Sequence, residues 1–347
     1  MTQDSTNDPN QDLLALPDLA VRTFGGAVVW ANDELFAGRE NLINPGPAVF
    51  APRTFGAKGQ VYDGWETRRR REPGVDQAIV RLGAPGVVRA VVVDTSHFTG
   101  NFPSEASVEG VAVDGHPSVT ALQDAEWAPL VERSPLQGDT ANVFAVSSRR
   151  RCTHVRLTIY PDGGVARLRV HGQVVADPRP VEALGTVDLA ALELGGRVTG
   201  CSNLFYGSPD RLIAPGLPRS MGEGWETARR RDDGNDWVEV RLAARGTVRV
   251  VELDTTWFLG NAPGSAALLA YDGEGDRADP DAWTPLLERT ALQPDTRHRL
   301  VPPEPSAPAT HVRLDVYPDG GMARLRLWGS PTDDGLAALR DRWDATG

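Results

Sequence analysis

Two cysteines in 347 residues, Cys152 and Cys201, are too few for a disulfide framework, and neither sits at a zinc-ligand spacing. Lys58 is the single lysine against 35 arginines, which disfavours Schiff-base chemistry. No apolar run reaches the roughly 18 residues of a membrane span. The start, MTQDSTNDPNQDLLALPDLA, lacks the basic head and apolar stretch of a secretory signal, so residues 1–16 are expected to be a disordered polar tail and the protein cytoplasmic. Six histidines, at 97, 116, 154, 171, 298 and 311, form no HxH, HxxxH or HxxE pair. A metal site would have to be assembled from distant residues, and no cofactor is expected. Nucleotide-binding glycine motifs and the GxSxG elbow are missing too. A net charge of −11 repels nucleic acid and anionic lipid, so neither is expected as a partner.

What the chain does contain, it contains twice. DGWETRRRR (Asp63 to Arg71) returns as EGWETARRR (Glu223 to Arg231), and VRAVVVDTSHFTGNFP (Val88 to Pro103) as VRVVELDTTWFLGNAP (Val248 to Pro263). EWAPLVERSPLQ (Glu126 to Gln137) returns as AWTPLLERTALQ, and THVRLTIYPDGGVARLRVHG (Thr153 to Gly172) as THVRLDVYPDGGMARLRLWG. Order and spacing agree, with a period near 160 residues, the mark of duplicated domains rather than a solenoid.

These segments alternate apolar and polar residues with period two between Gly, Pro, Asp and Asn, which predicts antiparallel β structure. In HVRLTIY, Val155, Leu157 and Ile159 are expected to face a core, and His154, Arg156, Thr158 and Tyr160 to form a polar face, joined by Arg167 in a cross-strand network. YPDGG reads as a hairpin turn, with Gly163 and Gly164 free to take positive φ. Seven or eight strands per half, with little helix, predict an all-β protein of two tandem jelly-roll β-sandwich domains. The expected division is a first repeat over 17–176, a linker with a short helix over 177–192, a second repeat over 193–331 and a C-terminal helix over 332–347.

Chemistry is then sought in the repeated loops. Trp65 and Trp225 read as caps on the sandwich cores. Glu66 and Glu226, beside them, are either tied to an arginine or presented to a ligand, and one or two of the arginines at 68–71 can reach Glu66 or Asp94. Asp94 and Asp254 end hydrophobic strands where a sheet meets its loop; Gly100 and Asn101 supply turn geometry. Within these loops His97 of the first copy is Trp257 in the second, so only the first offers an imidazole as acid or base near neutral pH.

The paired GWETxRRR, DTxxFxGN and HVRLxxYPDGGxARLRxxG motifs, with GGAVVWANDELFAGRENL (Gly25 to Leu42), resemble the allantoicase family from about Pro17 to Gly329. The resemblance implies two jelly rolls related to galactose-binding and discoidin-like modules, assembly into homo-oligomers, and hydrolysis of the small molecule allantoate to ureidoglycolate and urea in purine catabolism. It brings no catalytic set with it. Allantoate carries one carboxylate and two ureido groups on a single tetrahedral carbon, so urea can leave without attack on its carbonyl. That chemistry asks for an arginine clamp, groups to hold ureido N–H, and an acid for the departing nitrogen. His97, Asp94 and Glu66 are the expected catalytic residues. Substrate contacts are expected from Arg70, Arg71, Asn101 and Trp65, and in the second copy from Asp254, Asn261 and Glu226. Two alternatives stand beside this: a relative cleaving ureidoglycolate, and a non-catalytic jelly roll binding carbohydrate or another anionic ligand.

Overall fold

The structure is a computed structural model that describes residues 11–275 and 277–347. Of the tail expected over 1–16, the first ten residues lie outside the described part, and Gln11–Leu14 form a short helix. The chain separates into two compact units that divide at Val175 and Ala176.

In the first unit a single strand, Asp76–Asp94, organises a seven-stranded antiparallel sheet. Its first half lies between Ala27–Ala31 and Arg151–Tyr160; its second half lies between Arg167–Val174 and Ala141–Ala145. Pairing with Arg151–Tyr160 is interrupted between Arg81 and Gly86, where Pro85 has no N–H for a ladder. One strand therefore serves both layers of a jelly-roll sandwich. Ala78, Val80, Val88, Val91 and Val93 along it are wholly buried. Glu105–Val111 and Ala128–Pro135 extend the sheet beyond Arg151–Tyr160.

The second unit repeats this plan around Asp236–Asp254 in an eight-stranded sheet. The additional strand is Val187–Asp188, which pairs with Trp328–Gly329. This corrects the linker: Pro178–Leu184 is a helix capped by Asp177, but residues from Val187 belong to the second sheet. Two residues are too short for a period-two pattern to register. A helix, Asp333–Ala345, ends the second unit. Among the described residues no helix is long and apolar enough to cross a membrane.

The polar face expected on Arg151–Tyr160 is only partly polar in its surroundings. His154 and Thr158 are buried, and burial together with nearby Arg81 pushes the His154 imidazole down to about 4. Arg156 pairs with Glu109 and lies over the Trp127 ring, while Tyr160 lies under Arg133. Arg167 does not join this network. Its guanidinium turns instead to the loop end of the sandwich.

Candidate active site at the loop end of the first repeat

Trp65–Glu66 pairs with Gly164–Val165 on one side and bridges to Ala37 on the other, which fixes Glu66 between two segments. The YPDGG turn is built to receive it. Gly163 has φ 142°, and a Cβ there would come within 2.7 Å of the Asn101 carbonyl oxygen. Gly164, expected at positive φ, is instead a strand residue; a Cβ on it would sit 2.1 Å from the Phe98 ring. Thr67 and Gly163 bond each other through the Thr67 hydroxyl, which accepts the Gly163 N–H at 3.1 Å.

Glu66 is 8% exposed, and its Oε1 accepts the Asn101 side-chain amide at 2.7 Å. Among the described residues no arginine, lysine or histidine forms an ion pair with it, and burial pushes its carboxyl up, with the Asn101 bond only partly opposing. The expected pairing of the arginine block with Glu66 or Asp94 is therefore not what forms. Arg68 pairs with the buried Asp33 at 2.5 Å, and Arg70 with the buried Asp76 at 2.5 Å. Arg70 also gives its backbone N–H to Asp162 and a guanidinium N–H to the Val75 carbonyl, so it is committed to structure. Arg71 is exposed and has no ion-pair partner among the described residues.

Asp94 caps its loop: Oδ1 accepts the Ser96 N–H at 2.8 Å and the Ser96 hydroxyl at 2.6 Å. His97 sits at φ 69°, with its backbone N–H held by Asp139. Its Nε2 lies 3.2 Å from the Ala48 carbonyl oxygen. A carbonyl only accepts, so Nε2 is the donor in this contact and Nδ1 takes no part in it. The imidazole stacks on Phe50, Phe50 on Tyr62, and Tyr62 on Phe98, with centroid separations of 5.8, 5.9 and 5.2 Å. Trp65 belongs to the core, not to a substrate surface. It is wholly buried and gives its indole N–H to the Asp33 carbonyl at 2.7 Å.

Arg167 is not in the cross-strand network expected for it, because its side chain runs past the strand end to the loops. It lies opposite Asp94 in the ladder, is 2% exposed, and donates to Asp63 Oδ2 at 2.6 Å and to the carbonyls of Asn41 and Asp63. Burial draws the Asp63 carboxyl upward, but the bonds from Arg167 and Val49 N–H outweigh it and hold the group below its ordinary value.

The second repeat keeps part of this arrangement. Asn261 donates its amide to Glu226 at 2.6 Å, and Asp254, 1% exposed, caps Thr256. Trp257, at φ 74°, gives its indole N–H to the Pro218 carbonyl at 3.0 Å, the same kind of contact His97 makes with Ala48. Asn203 and Ala228 stand where the first repeat has Asp33 and Arg68, and Asn203 Oδ1 still accepts the backbone N–H groups of Phe205 and Ala228. The larger difference is length. Gly46 to Asp63 in the first repeat carries Phe50, Tyr62 and the small hairpin Phe55–Gly56 with Gly59–Gln60; Gly216 to Glu223 is far shorter and has none of these. Among the described residues no group of three or more His, Cys, Asp or Glu is placed to hold a metal ion.

The family model described as the allantoicase repeat matches this chain twice, over residues 17–175 and 187–332. A probable allantoicase of Nocardia farcinica is 57% identical over 316 residues, spanning 90% of this chain and 94% of that one. A probable allantoicase of Streptomyces coelicolor is 52% identical over 342 residues, spanning 95% and 89%. The crystal structure of allantoicase from Saccharomyces cerevisiae superposes with a TM-score of 0.75 at 31% identity, covering 90% of this chain and 92% of that one.

Proposed function

The chain belongs to the allantoicase family and is a hydrolase acting on allantoate, and from that premise we propose that the loop end of its first repeat releases urea and leaves ureidoglycolate. The observation that carries the assignment is Glu66: a nearly buried carboxyl with no cationic partner among the described residues, raised by burial and held by Asn101. A group of that kind is suited to deliver a proton. The first repeat is favoured over the second because it alone adds His97 and the aromatic segment stacked on it.

In this reading Arg71 takes the substrate carboxylate, and Asn101, whose amide N–H goes to Glu66, accepts a ureido N–H through its carbonyl. Glu66 protonates the departing ureido nitrogen as its bond to the central carbon breaks. The remaining ureido nitrogen supplies the electron pair that keeps that carbon bonded through C=N. Water then adds to the carbon and gives its proton to His97 Nδ1. One water is consumed, and urea and ureidoglycolate are the products. Asp94 positions the His97 loop through Ser96 rather than touching substrate. The same reading takes the protein to be cytoplasmic and a homo-oligomer, for which the free cysteines Cys152 and Cys201 and the exposed Leu204, Phe205 and Leu259 are the supporting features. Light scattering of the purified chain tests the second point.

Urea release from allantoate, with ureidoglycolate as the control substrate, tests the assignment. Glu66→Gln is expected to lower kcat by about 10²–10⁴-fold, the usual range for a general acid. Undiminished turnover in that variant would sink it. The wild type is assayed before and after chelation; loss restored by a divalent ion would move the search to a metal.

A further inference from the structure

In the second repeat a buried arginine lacks the carboxylate that its counterpart in the first repeat has. Arg324 is 4% exposed and donates to the carbonyls of Gly216, Glu223 and Ala323. Among the described residues no carboxylate lies within ion-pair distance of it. In the first repeat Asp63 neutralises Arg167; the residue at the Asp63 position, Glu223, pairs instead with the exposed Arg219 at 2.6 Å. Asp254 is opposite Arg324 in the ladder, but its Oδ1 is occupied by Thr256 and its Oδ2, 3.8 Å from Arg297, has no hydrogen-bond partner among the described residues. The neighbouring Arg326 pairs with Asp188. Burial first, then Arg326, pulls the Arg324 guanidinium down to about 10, as expected of a charge without an adequate counter-ion.

The other groups at this end are polar and are joined by one short segment. The short segment Gly216 to Glu223 receives Arg324 at both its ends, the Trp257 indole N–H at Pro218, and the Asn261 amide at Met221 Sδ at 3.5 Å. It thereby links the buried Arg324 guanidinium to the Asn261–Glu226 pair and to the face of Trp257, which is 47% exposed. An arginine for a carboxylate, an amide–carboxylate pair for ureido N–H groups and an aromatic plane for a flat ureido group make one coherent donor set. The imidazole of the first repeat is absent from it.

We infer that the loop end of the second repeat, through Arg324, Asn261, Glu226 and Trp257, is a binding site for a small ureido-substituted carboxylate, which it holds without turning it over. The inference rests on the proposed reading of the first repeat as the catalytic one.

The experiment is a calorimetric titration of the full chain carrying Glu66→Gln with allantoate, alongside a urea assay. Two allantoate molecules per chain are expected, with no urea formed. Adding Asn261→Ala or Trp257→Ala should remove one of the two and leave the one sensitive to Arg71→Ala. Arg324→Gln is the direct variant, and the two surface variants keep the test decisive if it fails to fold. Binding that disappears with Arg71→Ala and ignores Asn261→Ala and Trp257→Ala would overturn the second site while leaving the first intact. So would no binding at all to a folded Glu66→Gln chain that has lost turnover. Urea release that survives Glu66→Gln but falls with Glu226→Gln would place the chemistry in the second repeat and overturn both.

Discussion

Asp33 and Asn203 occupy equivalent positions, and the residues they hold have changed in step with them. Burial draws Asp33 upward, but the N–H of Leu35 and the bonds from Arg68 hold its carboxyl below the ordinary value. Where Ala228 replaces the arginine, a neutral amide replaces the acid. Arg68→Ala alone is therefore expected to lower stability only slightly, since the arginine is largely exposed, and Asp33→Asn should recover most of the loss. A double-mutant cycle by urea denaturation measures this coupling; additive effects would contradict it. Glu66 has the opposite sign. Its raised value means that its contribution is fully present below its unfolded value and is lost as pH rises through the folded one. Glu66→Gln should thus raise the Tm at neutral pH while removing turnover. His97→Trp, which copies the second repeat, should keep the contact to the Ala48 carbonyl and the Tm, yet lose about 10²-fold in kcat. If it retained activity, His97 would be a latch for its loop and nothing more. The exchange of His97 for Trp257 was legible in the sequence, but the partners of the arginines and of Glu66 were not. GWETRRRR announces its glutamate and arginines plainly, but Arg68 and Arg70 pair with the buried carboxylates of Asp33 and Asp76, which lie outside that motif.

At the scale of elements, the strands were readable because each repeat buries alternate residues, and Val155, Leu157 and Ile159 lie in the core as their spacing requires. Val187–Asp188 escaped because two residues carry no period. Arg167 escaped because periodicity fixes the face of a residue but not the direction a long side chain takes at a strand end. The segment from Gly46 to Asp63 has no repetition to align, so nothing in its sequence marked it as part of the site. Its Phe50 packs between His97 and Tyr62 while remaining 40% exposed. Phe50→Ala should accordingly cost little stability, about 1 kcal/mol or less, and lower kcat/KM about tenfold by releasing the imidazole. Steady-state kinetics beside a thermal melt separates the two effects; a large loss of Tm with unchanged kinetics would make the stack structural.

For the molecule as a whole, duplication means that a liability in one repeat is present in both. His154 and His311 are buried, each pushed down to about 4, mainly by burial. Each stays neutral in the folded state while its unfolded form takes up protons below its ordinary value of 6.5, so stability falls as pH drops from about 6.5 to 4. The full loss is about 3 kcal/mol per histidine at 1.36 kcal/mol per pH unit. Melting curves across that range should show it, and His154→Gln with His311→Gln should flatten the dependence.

The strand Asp76–Asp94 acts as a common ruler for its repeat. A slip of one residue would turn Ala78 and Val80 outward in one layer and Val91 and Val93 outward in the other at a single stroke. Both layers of the first repeat therefore take their alignment from one strand, the two halves being joined across the irregular stretch between Arg81 and Gly86.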